Sequence, residues 1–535
     1  MSVPTDPLPT RRQDLLDRLA RPQRYDLAVV GGGATGLGVA LDAAARGLSV
    51  VLLESHDFAQ GTSSRATKLV HGGVRYLAQG KISLVREALR ERAALLANAP
   101  HLAQPLPFVL PCYRSRDLPF YGIGLRLYDL LAGRRNLGAS GWLGPQATRA
   151  ALPQVRAQGL VGAIRYWDGQ FDDARLALAL ARTAAWQGAL LINHMRVSDL
   201  RHGNGRVDGL VCEDAITGQR LEVSAGCVVN ATGVWVDTLW RRDRPAEPAG
   251  GPGPAALVSP SQGVHLVVDR SFLGGDSALI VPRTQDGRVL FAVPWLGHLV
   301  LGTTDTPSQE LAREPRPLAA EIDFILGEAA RYLQRAPTRA DVRSVWVGLR
   351  PLVRPASGAG QRTQALSREH TVLVGSGGLV TVTGGKWTTY RAMAEDVLRT
   401  CMREGLLPER PAGVTQRLRL LGSRNFAGPA RSMSAPPGWE AYGDEVEAVR
   451  CLPGADTELA PGLTEAMVRF AARHEYALRV EDVLARRSRW LFLDAARAAR
   501  AAPRVAEILC QETGIDPGLA DFQALAQRYL ELPTA

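Results

Sequence analysis

The first residues whose types and spacing carry a legible chemistry lie between Tyr25 and Glu54, where YDLAVV is followed by GGGATGLG, an Ala-rich run and LSVVLLE. A short apolar run without alternation reads as a buried parallel strand. The glycines break it, helical composition follows, and a second apolar run ends on an acid. Strand, tight turn, helix and strand in that order suit a dinucleotide. Gly31 allows the sharp turn, Gly33 lets a pyrophosphate approach the backbone, and Gly36 lets the helix pack closely on the strand. Phosphates would sit at the positive end of the helix that begins near Ala34. Glu54, eighteen positions after Gly36, is placed to accept hydrogen bonds from a ribose diol. A bare GxGxxG is weak, but the flanking strand, helix and terminal acid favour a ligand over a plain glycine-rich turn.

Other stretches carry chemistry of their own. Residues 57–80, DFAQGTSSRATKLVHGGVRYLAQG, crowd small hydroxyls, Lys68, His71, paired glycines, Arg75 and Tyr76 together. They are too polar for core and too glycine-rich for a plain helix, which suggests a loop and short helix lying against something flat or charged. A solvated, capped loop is the equal alternative. Asn230-Ala231-Thr232-Gly233 ends a strand in a small-residue turn that lets a second loop reach the cofactor. Gly384-Gly385 precedes a helix beginning near Thr388, a second helix N-terminus able to face a ligand. Only three of the 63 basic residues are lysine: Lys68, Lys81 and Lys386. A lysine inside a motif therefore stands out, because an ammonium and a planar guanidinium do different work.

The elements that must hold these residues fit 535 residues in two or three domains of ordinary globular composition. Residues 1–24 read as a loosely held arm. Residues 84–96 form an amphipathic helix. FYGIGLRLYDLLAGRR, within 118–135, fits either a helix packed on the domain, which base rates favour, or one lying in a membrane interface. An Asp-capped helix follows near 172, then a β-rich stretch to Gly233. The Pro/Gly-rich loop 241–256 receives no function. Short strands from 261 to 305 suggest one wall of a pocket, and the chain turns helical after about 400. No apolar run approaches the roughly 20 residues of a membrane span, and the start lacks the core of a secretory signal. The chain is expected on the cytoplasmic side. Six cysteines without a CxxC pair indicate no metal site or disulfide framework and read as buried thiols. The charge of +10 allows an anionic substrate, an anionic membrane surface or nucleic acid.

Taken together these motifs resemble the FAD-dependent, quinone-linked glycerol-3-phosphate dehydrogenase family, within the D-amino-acid-oxidase-like flavoproteins. The likeness runs through the fingerprint at 31–38, GTSSRATKLVHGGVRYL at 61–77, FDDARL at 171–176, NATG at 230–233, GTTD at 302–305, GLRPL at 348–352, GGKWTTYR at 384–391, and HEYA with DVLARR in the last domain. The resemblance implies an α/β fold: a Rossmann-like FAD-binding domain over 25–400, interleaved with a mixed-sheet substrate domain (mainly 80–200 and 255–345), and a C-terminal helical domain over 401–535. It implies non-covalent FAD, oxidation of sn-glycerol 3-phosphate to dihydroxyacetone phosphate, and electron passage to quinone. It also implies peripheral attachment to the inner face of the cell membrane, and a homodimer.

By resemblance the cofactor contacts are Gly31, Gly33, Ala34, Thr35, Gly36 and Glu54; Thr62, Ser63, Ser64, Lys68, Leu69, His71, Gly72 and Gly73; Val197, Ala231, Thr232 and Gly233; and Gly348, Gly385, Lys386, Trp387 and Thr388. The substrate contacts are Arg75, Tyr76, His265, Arg350, Arg368 and Lys386. The residue chemistry agrees: a phosphate monoester carries about two negative charges, which guanidinium groups grip in forked pairs. The C2 hydroxyl must lose a proton as hydride leaves for flavin N5, and a base with a pKa near working pH favours histidine. His265 is the first choice and His71, lining the flavin, the second. Arg350 and Lys386 complete the catalytic set, Lys386 holding substrate oxygens or the reduced flavin's charge. Ser261-Gln262-Gly263 stands where many relatives carry a Lys or Arg and a Ser, and no EF-hand loop occurs. Rival readings are a glycerol-3-phosphate oxidase using oxygen, a flavin oxidase of another substrate, and a non-enzymatic flavin sensor. Nucleic-acid binding is not expected, since the charges are not interleaved with aromatic platforms.

Overall fold

The run RYDLAVV forms the strand Arg24–Val30, and Val50–Leu53 lies parallel beside it, pairing Leu27 with Val50 through Val30 with Leu53. All four residues of the second strand are buried, as a parallel strand covered on both faces requires. The structure, a computed structural model, describes residues 7–77, 80–243, 256–285, 287–354, 369–426 and 431–534. Arg368 and most of the loop 241–256 therefore lie outside the described residues. Arg220–Asn230 runs parallel on the other side of Arg24–Val30, followed by Val380–Gly384, while Leu190–Ile192 extends the sheet beyond Val50–Leu53. The chain thus leaves Arg24–Val30 in both directions, and a ligand cleft opens at the carboxyl ends of strands where such an order reverses. Helices Ala34–Ala45, Asp173–Trp186 and Tyr390–Arg403 pack on this sheet's core.

A second, mixed sheet is built around the long strand Val258–Asp269, flanked by Ser344–Val353 and His298–Gly302. Its register sets His265 opposite Trp346 on one neighbour and Gly302 on the other. One face of the sheet is covered by the helix Ala319–Tyr332. The other shares a core with the helices Glu465–His474, Ala495–Thr513 and Leu519–Leu530, in which Trp295 and Trp346 are wholly buried.

Buried ion pairs tie this helical region to the first sheet. Arg175 meets Glu475 at 2.9 Å, Arg182 meets Glu445 at 2.6 Å, and Arg489 meets Asp173 at 3.1 Å. Asp57, just past the second parallel strand, receives Arg486 and Arg487. Asp57, His194 and Asp482 lie close enough to suggest a metal cluster. Their oxygens are already matched by those guanidinium groups and by Asn193, and the imidazole bonds Asp482 at 3.1 Å.

Three expectations need correction. The arm before the first strand is docked: residues Arg12–Leu19 are helical, Leu15, Leu16 and Leu19 are buried, and Arg12 pairs with Asp214 at 2.6 Å. Burial of three leucines on one face, with the Arg12 ion pair, offsets the freedom the arm loses. Cys112, Cys212, Cys227 and Cys401 are buried, but Cys451 and Cys510 are exposed. Within 118–135 the helix Asp117–Ala132 is only half packed: Leu125, Tyr128 and Ala132 face inward. Phe120, Ile123 and Leu130 are 73%, 71% and 76% exposed.

Candidate functional site

The glycine turn is built as its spacing requires. Gly31 has φ +107°, and a Cβ there would lie 2.6 Å from the Ala231 carbonyl oxygen. A Cβ on Gly36 would come within 1.9 Å of the Gly31 carbonyl oxygen, so the helix could not close on the strand with any other residue. The helix starts at Ala34, whose N–H donates to Ser63 Oγ at 2.9 Å. Thr35 and Gly36 follow in its first turn, where backbone N–H groups have no partner within the helix. In front of this terminus lies a cleft of about 1180 Å³, lined by Gly31, Gly33, Glu54, Thr62 and Ser63. Val197, Ala231, Thr232 and Gly233 form its other side. Glu54 accepts from Gly32 N at 2.6 Å, His56 N at 2.9 Å and Ser55 Oγ at 3.0 Å. Burial pushes its carboxyl pKa up, against the pull of those donors. A long cleft, a helix N-terminus and a carboxylate at the far strand end suit a dinucleotide extended along the carboxyl edge of the sheet.

The segment 61–77 connects this cleft to everything else. Trp387 Nε1 donates to the Ser63 carbonyl at 2.7 Å, and Thr62 Oγ1 donates to the Leu349 carbonyl at 2.5 Å. Thr67 Oγ1 lies 3.0 Å from His265 Nε2. Thr388 Oγ1 accepts from His71 N at 3.3 Å, Gly72 N donates to Asp168 at 3.2 Å, and Lys386 Nζ stands 3.9 Å from the centre of the Tyr76 ring. Leu69 lies in a short strand on Gly169 and Gln170. Gly73 and Gly385 take φ of +77° and +78°, and a Cβ on Gly348 would meet the Arg65 carbonyl at 3.0 Å. Arg75 occupies the helix Val74–Leu77.

Arg350 is held in place by four oxygens. Its Nη2 donates to Thr303 Oγ1 at 3.1 Å and the Thr304 carbonyl at 3.0 Å, and its Nη1 to the Gln262 carbonyl at 3.2 Å and Asp305 at 3.4 Å. Gly263 makes room for it, since a Cβ there would sit 2.2 Å from Nη2. Ser261 and Gln262 turn elsewhere: Ser261 bonds Asp305, and Gln262 donates to buried Glu321 at 2.6 Å.

His265 is 2% exposed and stacks on Trp346 with centroids 4.1 Å apart and planes 19° apart. Burial, with the charges of Lys68 and Arg350, holds its imidazolium well below the usual histidine range. The ring is therefore neutral at working pH.

Lys68 carries its ammonium into the core. The sequence expectation put it on the cofactor, and its side chain is wholly buried. Nζ donates to Asp173 at 2.7 Å and to the Ser64 carbonyl at 2.8 Å. Its backbone φ of +66° turns the chain so that the ammonium points inward. Thr67, Trp346, Asp173 and Thr303 were not singled out from sequence. No local sequence signal marked them, since Trp346 meets His265 only through strand register.

Comparison with known proteins agrees with this architecture. Residues 26–391 match the family model described as FAD dependent oxidoreductase, and residues 414–518 match the C-terminal domain of alpha-glycerophosphate oxidase. The mitochondrial glycerol-3-phosphate dehydrogenase of Homo sapiens is 39% identical over 552 aligned positions, covering 96% of this chain and 74% of that protein. The chain belongs to the FAD-dependent glycerol-3-phosphate dehydrogenase family. Glycerol-3-phosphate dehydrogenase SDP6 of Arabidopsis thaliana is likewise 39% identical over 95% of this chain and 86% of that one. The crystal structure of the Bacillus halodurans glycerol-3-phosphate dehydrogenase, complexed with FAD, superimposes with a TM-score of 0.76 at 28% identity, covering 98% of both chains. L-alpha-glycerophosphate oxidase of Mycoplasma pneumoniae, at 16% identity and TM-score 0.56, shares the fold. The family member described here is an FAD-dependent oxidoreductase, and the cleft fits that cofactor.

Proposed function

We propose that this enzyme oxidises sn-glycerol 3-phosphate to dihydroxyacetone phosphate and passes the electrons to a quinone at an anionic membrane surface. The observation that carries the reading is the single segment 61–77, which contacts the cofactor cleft through Ser63, the base candidate through Thr67 and the cationic Lys386 through Tyr76. The helix N-terminus at Gly33–Gly36 would hold the pyrophosphate of FAD, and Glu54 its ribose. Bound FAD supplies, at N5, the acceptor for the hydride from C2. Arg350, preset by Thr303, Thr304 and Asp305, binds the phosphate with Arg75 and Arg368 from the matched motifs. His265 takes the hydroxyl proton, and Lys386 holds the oxygen that becomes the ketone. Because the matched C-terminal model takes its name from an oxidase, oxygen is the competing acceptor. During turnover with a short-chain quinone, peroxide is expected to remain a small fraction of the substrate oxidised. Stoichiometric peroxide with the quinone present would transfer the assignment to an oxidase.

The apolar face of the helix Asp117–Ala132 supports the membrane part of the reading. No described helix is long and apolar enough to span a bilayer. Phe120, Ile123, Leu127 and Leu130 instead offer an exposed stripe suited to insertion among lipid headgroups. The triple substitution Phe120→Ser, Ile123→Ser and Leu130→Ser is expected to abolish sedimentation with anionic vesicles at low salt, with turnover on a soluble acceptor retained. Undiminished sedimentation would remove this helix from the membrane contact.

A further inference from the structure

Lys68 is a wholly buried lysine that the proposed chemistry does not use. Its ammonium lies 4.6 Å from the ring centre of Trp346, 5.0 Å from that of Trp295 and 5.5 Å from that of Phe492, a cage of three aromatic faces. Asp173 anchors it from the fourth side, and Asp173 is itself clasped by Arg489. An ammonium needs one carboxylate to be tolerated in a core, not three rings. The Trp346 ring is the one against which His265 stacks, and His265 Nε2 faces Thr67, the residue next to Lys68 in sequence.

We propose that Lys68 is a positioning residue for the proton-accepting His265, acting through the Trp346 ring that both of them contact. This inference rests on the reading of His265 as the base. The ammonium draws the electron-rich face of Trp346 toward itself and fixes the plane on which the imidazole lies. That plane sets the Nε2 contact with Thr67. A cation on the same ring also disfavours a second positive charge on the imidazole, so His265 stays unprotonated to lower pH than it would without Lys68. The charged groups facing His265 are Lys68 and Arg350. Those facing Lys68 are Asp173, Asp172 and Arg489, and its own pKa is lowered to about 7, chiefly by burial. The carboxylates keep the cation in place, and Arg350 acts on the imidazole independently.

The test is the pH dependence of kcat/KM for glycerol 3-phosphate, measured on flavin-loaded Lys68→Gln with a soluble acceptor. The amide, one bond shorter, keeps N–H groups to offer Asp173 or the Ser64 carbonyl while losing the charge. The acid limb of the profile is expected to move up by about one pH unit, a roughly tenfold loss below it, with flavin content unchanged. A lowered thermal midpoint with an unmoved profile would make Lys68 an ion-pair residue of the core only, and the proposal would fall. If Lys68→Gln does not fold, Trp346→Phe and Trp346→Leu give the second reading. The aromatic replacement should keep the profile and the aliphatic one should shift it, and identical profiles for the two would overturn the proposal. His265→Gln separates the two levels. If it retains turnover, the base assignment itself fails; if it is inactive while Lys68→Gln keeps its profile, only the positioning role fails.

Discussion

His265→Gln is expected to lower kcat about 100- to 10,000-fold while leaving flavin content and the thermal midpoint close to those of the parent. Glutamine has nearly the reach of histidine and can keep a contact to Thr67, but it cannot take a proton. The substitution therefore removes the chemistry more than the packing. The size of the effect follows from the site's isolation. His265 is buried, stacked on Trp346 and flanked by two cations, so no water stands ready to replace it as proton acceptor. Stopped-flow measurement of flavin reduction on mixing with glycerol 3-phosphate reads the effect on the chemical step. A variant that reduced its flavin at nearly the parent rate would move the base elsewhere, with His71, backbone-bonded to Thr388, the next candidate.

The second large effect is on stability. Asp57→Asn is expected to cost about 3–5 kcal/mol, because it leaves Arg486 and Arg487 buried with one carboxylate fewer between them. Asp57 and both guanidinium groups are almost completely shielded from water, so solvent cannot compensate the lost charge. The loss should also reach the cofactor. Asp57 belongs to the turn that follows Glu54, and two residues on Ala59 N bonds the Gly32 carbonyl at 2.9 Å within the glycine loop. Calorimetry should show a markedly lower thermal midpoint and gel filtration a partial loss of flavin. Glu481→Gln, at the rim of the same cluster and more exposed, should change little. If the two substitutions were equally mild, the cluster would not hold the helical region to the nucleotide-binding sheet.

How far the site was legible in the sequence depended on whether its geometry is local. Gly31 and Gly36 act within one turn, so their spacing alone carried the sharp turn and the close helix packing, and the structure places both as that spacing requires. Lys68 shows the limit. The direction of its side chain depends on a left-handed backbone conformation that no spacing reveals. Trp346 is 81 positions from His265 and meets it only through the register of two antiparallel strands. The N-terminal arm looked loose because polar residues dilute its three leucines, and its docking depends on Asp214 and Arg473, which are remote in sequence. The helix Asp117–Ala132 posed the converse difficulty. Its composition fits a packed or an interfacial helix equally, and only the surface around it shows which side chains are left uncovered.

In the proposed function a dianionic three-carbon alcohol is gripped by cationic residues beside a flavin. The most direct measurement is the visible absorbance of the purified flavoprotein under anaerobic conditions, before and after glycerol 3-phosphate is added. The visible absorbance band of the oxidised flavin should bleach promptly with glycerol 3-phosphate and persist with glycerol, which lacks the phosphate proposed to bind Arg350. Equal bleaching by both alcohols, or none by either, would contradict it.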